Sequence, residues 1–341
     1  MKRTTKIGII NVTGYIGMEL ARLVHRHPDV ELVSVTGRSA AGQRLSQFLP
    51  HFGGLDLMIE PELGQVEVAF SALPHRTGVD PITAALDRGT RVVDVSADFR
   101  LDDPKAYEQW YGFTHSRPEL LNEAVYGLVE LNRARLPSAR LVANPGCYPT
   151  GAILALAPAV REGLIEPEIV IDSKSGVSGA GRGLTLLTHF AEANENVSAY
   201  ALGGHRHLPE IVQELSKLNP ALELSVTFVP HVIPMNRGIL TTCYARLTRA
   251  KTVDEVREVY QEFYRGETFV SVADSPPQTK QTWASNTCLV YPTVDTRTDR
   301  LIVISCIDNL VKGGAGQAVQ CMNLMLGLPE ARGLDVVGVY P

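Results

Sequence analysis

Apolar residues in the first half of the chain fall into short runs separated by amphipathic stretches. "KIGII", "VELVSVTG", "VEVAFSAL", "RVVDVSADF" and "RLVANPG" read as strands. Between them, "GMELARLVHRHP" places Leu20, Leu23 and Val24 at helical spacing, and "GVDPITAALDRG" reads as a second helix. Strands alternating with helices predict parallel strands joined by right-handed crossovers, a doubly wound α/β sheet of the Rossmann type. After residue 150 the rhythm changes. "EIVIDSKSG", "ELSVTFVPHVIP", "GILTTCYARL" and "RLIVISCID" are strands with fewer helices between them, and "TVDEVREVYQEFYRG" is one clear helix. This half predicts an α+β domain with a mainly antiparallel sheet. The last apolar helix, "GQAVQCMNLMLGL", could pack on either half.

Two domains also follow from length, since 341 residues exceed one core of ordinary size. Net charge is −5 with no long run of one sign, which argues against a nucleic-acid surface or a polybasic anchor. The start "MKRTTKIGII" has too short an apolar run for a signal peptide, and no stretch approaches the ~18 apolar residues of a membrane span. The five cysteines form no CxxC pair, and their number is odd. Reduced thiols in a cytoplasmic protein fit better than a disulfide framework or structural zinc. Cys243, Cys288, Cys306 and Cys321 read as small core residues.

"KIGIINVTGYIG" puts Gly14 and Gly17 between a strand and a helix, where bare backbone can approach a pyrophosphate at the helix N-terminus. The alternative is a plain strand-to-helix turn. Asn11 stands where a first glycine would be expected, and Asn tolerates left-handed conformations. The second strand ends in "SVTGRSAAGQR", with Arg38 and Ser39 where NAD-preferring folds carry an acid. A guanidinium beside a hydroxyl suits a 2′-phosphate, hence NADP.

In "ANPGCYPTGAI", Cys147 alone among the cysteines has turn-forming neighbours on both sides. A helix starting there would aim its N–H groups at the sulfur and favour the thiolate. Pro149 suits a first helical turn, and Pro158 is expected to kink or end the helix. The alternative is a core cysteine at a tight turn. "GHRHLPEI" brings His205, Arg206, His207 and Glu210 together, and Glu210 at i+3 could orient the His207 ring. A polar surface loop is the other reading. A zinc site lacks a third ligand at convincing spacing. "DSKSGVSGAGRG" could cradle an anion with its glycines, serines, Lys174 and Arg182, or serve as a flexible linker.

With these pieces placed, the chain resembles the N-acetyl-γ-glutamyl-phosphate reductase family, within the aspartate-semialdehyde and glyceraldehyde-3-phosphate dehydrogenase superfamily. The matching stretches run from end to end: "VTGYIG", "SALPH", "VVDVSADFRL", "VYGLVELNR", "ANPGCYPTGAILALAP", "DSKSGVSGAGR", "GHRHLPEI", "PMNRGI" and "IDNLVKGGAGQAVQ". The resemblance implies Cys147 as nucleophile, with His207, His205 and Glu210 as catalytic partners. It implies cofactor contacts from Thr13, Gly14, Tyr15, Gly17, Arg38, Ser39, Leu73, Pro74, Ser178, Gly179, Asn309, Gly313 and Gln317. Arg100, Asn144, Ser175, Arg206 and Arg237 are the candidates for holding substrate phosphate or carboxylate. No metal is expected. Asn11 departs from the family's glycine and puts one backbone contact in doubt.

The domains implied are 1–147 for NADP(H), with 313–341 returning to it, and 148–312 for substrate and oligomer contacts, in a homodimer or homotetramer. The activity implied is NADPH-dependent reduction of an acyl phosphate to an aldehyde through a Cys147 thioester, in arginine biosynthesis. Two other readings share these features: a reductase of carrier-linked aminoadipyl or glutamyl phosphate, and a non-catalytic NADP-binding redox sensor. The intact "NPGCYPTG" favours the glutamyl enzyme over the first. The joint presence of thiol, histidines and anion loop argues against the second.

Overall fold

A computed structural model describes residues 4–340. Met1, Lys2 and Arg3, the basic start considered above, and Pro341 lie outside the described residues. The chain divides into two compact units, Met1–Pro145 with Gly314–Val336, and Gly146–Gly313 with Val337–Pro341.

The first unit is built on seven strands: β1 (Thr5–Ile10), β2 (Val30–Thr36), β3 (Ile59–Glu60), β4 (Val68–Ser71), β5 (Arg91–Asp94), β6 (Val125–Tyr126) and β7 (Leu141–Ala143). Their order is β3-β2-β1-β4-β5-β7-β6, with every pairing parallel. Ile7, Ile9, Val68, Phe70, Val92 and Val93 have no exposed surface, as expected of strands covered on both faces. The helix Tyr15–His25 buries Leu20, Leu23 and Val24, and Val79–Asp87 buries Val79, Ile82 and Leu86. Strand order reverses between β1 and β4, so a crevice opens at their carboxyl ends. The late helix Gly316–Met325 belongs to this unit: Asn323 Oδ1 lies 3.0 Å from His27 Nε2, and Gln317 Nε2 donates to Gly127 O at 2.7 Å.

The second unit carries β8 (Ile165–Gly176), β9 (Ser198–Ala199), β10 (Ser225–Ile233), β11 (Ile239–Leu247), β12 (Val270–Val272), β13 (Cys288–Asp295) and β14 (Arg300–Ile307). The order is β12-β13-β14-β11-β8-β10-β9. β12–β13 and β8–β10 pair in parallel and the remaining neighbours are antiparallel, so the sheet is mixed with an antiparallel majority. Burial alternates along β13, with Cys288, Val290 and Val294 turned inward. The helix Cys147–Arg161 packs on this sheet and is buried from Tyr148 through Val160. Tyr260, on the capped helix Val253–Phe263, donates its hydroxyl to Ala155 O at 2.8 Å.

Pro158 does not end its helix, which continues to Arg161. Proline removes the N–H that would reach Leu154 O. Tyr264 donates its hydroxyl to that carbonyl instead, so the lost bond is replaced from another element.

Candidate active site

The turn after β1 leads into the first unit's crevice. Asn11 has φ +67°, a left-handed conformation. Its side chain knits the turn together: Nδ2 donates to Ala72 O at 2.8 Å, and Oδ1 accepts from Thr13 Oγ1 at 2.9 Å. The asparagine that departs from the expected glycine is therefore a structural tie between two strand ends. Gly17 is required by the protein itself, since a Cβ there would sit 2.2 Å from Asn11 O. Gly14 is not, since its Cβ would meet only Asn11 Nδ2 at 3.7 Å. Bare backbone at Gly14, the N-cap of Tyr15–His25, leaves room for a ligand at the helix N-terminus.

Beside this turn lies a cavity of ≈ 810 Å³, lined by Asn11, Thr13, Arg38, Ser39, Leu73 and Pro74 together with Thr77, Pro81, Ala84 and Arg88 of the β4–β5 crossover. Its size and its mixture of apolar walls and guanidinium groups fit the adenosine half of a dinucleotide. Arg38 and Ser39 form a single 3₁₀ turn after β2 and are exposed to it. The chain itself signalled Arg38 through the missing acid. Arg88, which also lines it, carried no such signal. The loop bordering the cavity is held by Asp98, whose carboxylate accepts the N–H of Arg76 at 2.7 Å and of Gly78 at 2.8 Å.

Other expected residues in this unit turn inward. Gln317 is fully buried and supports Gly127. Arg100 is buried, and its Nε and Nη2 donate to Asn144 O at 2.7 Å and Val95 O at 2.8 Å. Asn144 has no exposed surface. Arg100 thus ties the end of β7, where the NPGC turn begins, to the end of β5.

In the second unit, Cys147 is the first residue of the helix Cys147–Arg161, with Gly146 as N-cap in an extended conformation. The thiol is half-buried, whereas the other four cysteines are buried. Burial pushes the Cys306 thiol up to about 12 and also raises Cys243. Thr150 N bonds Gly146 O at 2.9 Å, so the helix starts at Cys147 and its N-terminal, electropositive end lies at the thiol residue.

His207 is the N-cap of the helix Leu208–Leu218, and Glu210 lies in its first turn. Glu210 is fully buried, and its Oε1 accepts the Gly146 N–H at 2.7 Å. Glu210 thus bonds the residue preceding the thiol. His205 and His207 rings stand 4.8 Å apart, and the Tyr148 ring lies 5.7 and 5.9 Å from them. His205 Nδ1 accepts the His207 N–H at 3.0 Å. Its proton accordingly sits on Nε2, 3.5 Å from the Tyr200 hydroxyl. Tyr200 donates to Tyr148, and Tyr148 to His231 O, each at 3.2 Å. Burial, reinforced by the Arg206 charge, pushes His205 down to about 4, so this imidazole is neutral near pH 7. Tyr148 and Tyr200 went unrecognised in the chain, where nothing distinguishes them from core aromatics.

The end of β8 and the turn after it divide these residues. Ser175 faces inward with Ser173, while Lys174 lies on the opposite face and pairs with Asp172 at 2.8 Å. Lys174 and Ser175 cannot form one anion cradle. Ser178 and Gly179 sit in a 3₁₀ turn, and Asn309 Nδ2 donates to Ser178 Oγ at 3.0 Å. Gly179 lies against Ser175, where a Cβ would be 3.2 Å from its Oγ. Arg206 is exposed, while Arg237 is paired with buried Asp308 at 2.8 Å. Among the described residues no group of three or more His, Cys, Asp or Glu is placed to hold a metal ion, and no helix is long and apolar enough to cross a membrane.

Residues 6–139 match the semialdehyde dehydrogenase NAD-binding domain, and residues 147–309 the semialdehyde dehydrogenase dimerisation domain. The N-acetyl-γ-glutamyl-phosphate reductase of Dehalococcoides mccartyi strain CBDB1 is 58% identical over 337 residues, covering 98% of this chain and 99% of the relative. That of Pelotomaculum thermopropionicum is 50% identical over 345 residues, with the same coverage. Among solved structures, aspartate semialdehyde dehydrogenase II of Vibrio cholerae, complexed with ASA, superposes with a TM-score of 0.73 at 17% identity. That pairing covers 95% of this chain and 99% of the other. The Candida albicans aspartate semialdehyde dehydrogenase with NADP gives a TM-score of 0.69 at 18% identity, with the same coverage. These two establish the fold, a parallel dinucleotide-binding sheet followed by a mixed-sheet domain. Sequence similarity over nearly the whole chain establishes the family: the chain belongs to the N-acetyl-γ-glutamyl-phosphate reductases.

Proposed function

We propose that this chain reduces N-acetyl-γ-glutamyl phosphate to N-acetylglutamate 5-semialdehyde with release of inorganic phosphate, using NADPH, as a step of arginine biosynthesis in the cytoplasm. The observation that carries this reading is the half-buried thiol of Cys147 at a helix N-terminus whose next residue, Tyr148, packs its ring against those of His205 and His207. Thr13, Arg38, Ser39, Leu73 and Pro74 would hold NADPH, which supplies a hydride when bound.

The remaining chemistry belongs to the chain. Cys147 thiolate attacks the acyl carbon, the carbon–oxygen bond to phosphate breaks, and an acyl thioester remains. After reduction, the thiohemiacetal oxyanion collapses, the carbon–sulfur bond breaks, and aldehyde leaves with the thiolate restored. The N-terminus of the helix Cys147–Arg161, with the Tyr148 N–H in its first turn, stabilises the oxyanion. His205 is neutral, and the imidazole assigned to the thiolate in this reading is His207. The first unit serves NADP(H), and the second serves substrate binding and self-association as a homodimer or homotetramer. Val170, exposed on β8, and half-buried Val229 on neighbouring β10 support association through the second sheet.

Running the reaction backwards tests the whole reading. N-acetylglutamate 5-semialdehyde should reduce NADP⁺ only when inorganic phosphate is present. Reduction without phosphate, or none with it, overturns the assignment.

A further inference from the structure

We infer that Asp308 is a positioning residue for the thiol, acting through Gly313. The inference rests on the reading of Cys147 as nucleophile.

Asp308 follows β14 and has no exposed surface. Oδ1 accepts the N–H of Leu310 at 2.9 Å and of Val311 at 3.3 Å. Oδ2 accepts the N–H of Ala284 at 2.7 Å, a residue held at φ +59°. Arg237 closes on both oxygens, with Nη2 3.0 Å from Oδ1 and Nε 2.8 Å from Oδ2. The Arg237 carbonyl in turn accepts the indole N–H of Trp283 at 2.9 Å. A buried carboxylate with this many donors is fixed in place, and it fixes what it binds.

What it binds is the start of a π-helical turn, Val311–Ala315. The Asp308 carbonyl accepts the Gly313 N–H at 2.9 Å, the i to i+5 bond of such a turn. Gly313 presses on the thiol residue: a Cβ there would lie 2.8 Å from Cys147 Cβ and 3.2 Å from Cys147 Cα. π-Turns are uncommon and concentrate at functional sites, because the wide turn aims backbone where an α-helix would not. Here it makes the wall that sets where the Cys147 side chain can lie. Asp308 touches no reacting atom. It holds the turn, and the turn holds the sulfur.

The test compares Gly313→Ala, Asp308→Asn and the double variant with wild type. Each is read for kcat, for KM and for the pH profile of Cys147 alkylation by iodoacetamide, located by mass spectrometry. Gly313→Ala leaves the carboxylate cluster intact and displaces the thiol. It should lower kcat roughly 10- to 100-fold and shift the alkylation profile, with KM little changed. Asp308→Asn should reproduce that signature, and the double variant should be no worse than the poorer single. Wild-type kcat and alkylation in Asp308→Asn overturn the inference, as do effects that multiply. If Asp308→Asn fails to fold, Arg237→Lys reads the same link. A lower kcat with a shifted profile supports it, and a raised KM alone makes Arg237 a substrate contact and overturns it. Cys147→Ala separates the two levels: residual turnover there removes the nucleophile, whereas an inactive Cys147→Ala with unchanged alkylation in Asp308→Asn removes only the positioning role.

Discussion

Glu210 Oε1 accepts the main-chain N–H of Gly146 at 2.7 Å, so a fully buried carboxylate is bonded to the residue that precedes the thiol. The bond joins the first turn of Leu208–Leu218 to the N-cap of Cys147–Arg161. Glu210→Ala should leave that N–H without its acceptor, at a cost of roughly 1–3 kcal/mol in unfolding free energy. Glu210→Gln keeps an amide oxygen in its place and should cost less than half as much. Urea titration of the two variants measures the difference. Equal losses would mean that the carboxylate's charge, not the bond to Gly146, is what the fold requires.

Arg38 and Ser39 line the first unit's cavity where an acid would favour NAD. Arg38→Ala should therefore discriminate between cofactors. Losing a charge-assisted bond of ~1.5–3 kcal/mol weakens NADPH roughly tenfold or more and leaves NADH nearly unchanged. Fluorescence titration of both cofactors against both proteins decides it. Equal weakening of NADPH and NADH would place Arg38 away from the 2′-phosphate.

What the chain revealed in advance was local. The strand runs, the turn at "NPG" and the helix start at Cys147 each depend on neighbours in sequence, and each is where the pattern placed it. What it concealed was direction and distance. Pro158 reads as a kink or a helix end because its rescuer, Tyr264, lies far along the chain. Lys174 and Ser175 look like one cradle until the strand continues through them and turns them to opposite faces. Arg100 and Arg237 look like anion binders, and their structural bonds, Arg100 to the Asn144 carbonyl and Arg237 to Asp308, join residues far apart in the chain. Tyr148 and Tyr200 gain meaning only when His205 is found at the end of their hydroxyl chain.

The Pro158 rescue can be tested as a cycle. Tyr264→Phe removes the hydroxyl that serves Leu154 O, a buried carbonyl in the middle of Cys147–Arg161. The expected loss is roughly 1–3 kcal/mol. Pro158→Ala returns an N–H four residues beyond that carbonyl. In the Pro158→Ala background, Tyr264→Phe should cost clearly less, a coupling seen in thermal or urea unfolding. Additive losses would show that the hydroxyl and the missing N–H are unrelated.

His205 makes stability depend on pH with a definite sign. Burial and then Arg206 push its pKa from 6.5 in the unfolded chain down to about 4 in the folded one. Between those values the unfolded chain binds a proton that the folded chain does not. Stability therefore rises with pH across that window, is fully present above it, and is lost as pH falls towards 4. The displacement corresponds to an upper limit of roughly 3 kcal/mol. Asp94 works the other way in the first unit, since burial raises its carboxyl to about 7 and its contribution fades as pH rises. Wild type alone would therefore show a blunted slope. His205→Asn separates the two, because Asp94 is common to both proteins and an asparagine oxygen can still accept the His207 N–H. Urea unfolding at pH 4.5, 5.5, 6.5 and 7.5 should show wild type gaining on the variant with each step up to about 6.5, and no further change beyond it. A difference that stays constant from 4.5 to 7.5 would mean that His205 titrates alike in the folded and unfolded chain. It would then be free to carry a proton at neutral pH, and the assignment of His207 rather than His205 to Cys147 would fall with it.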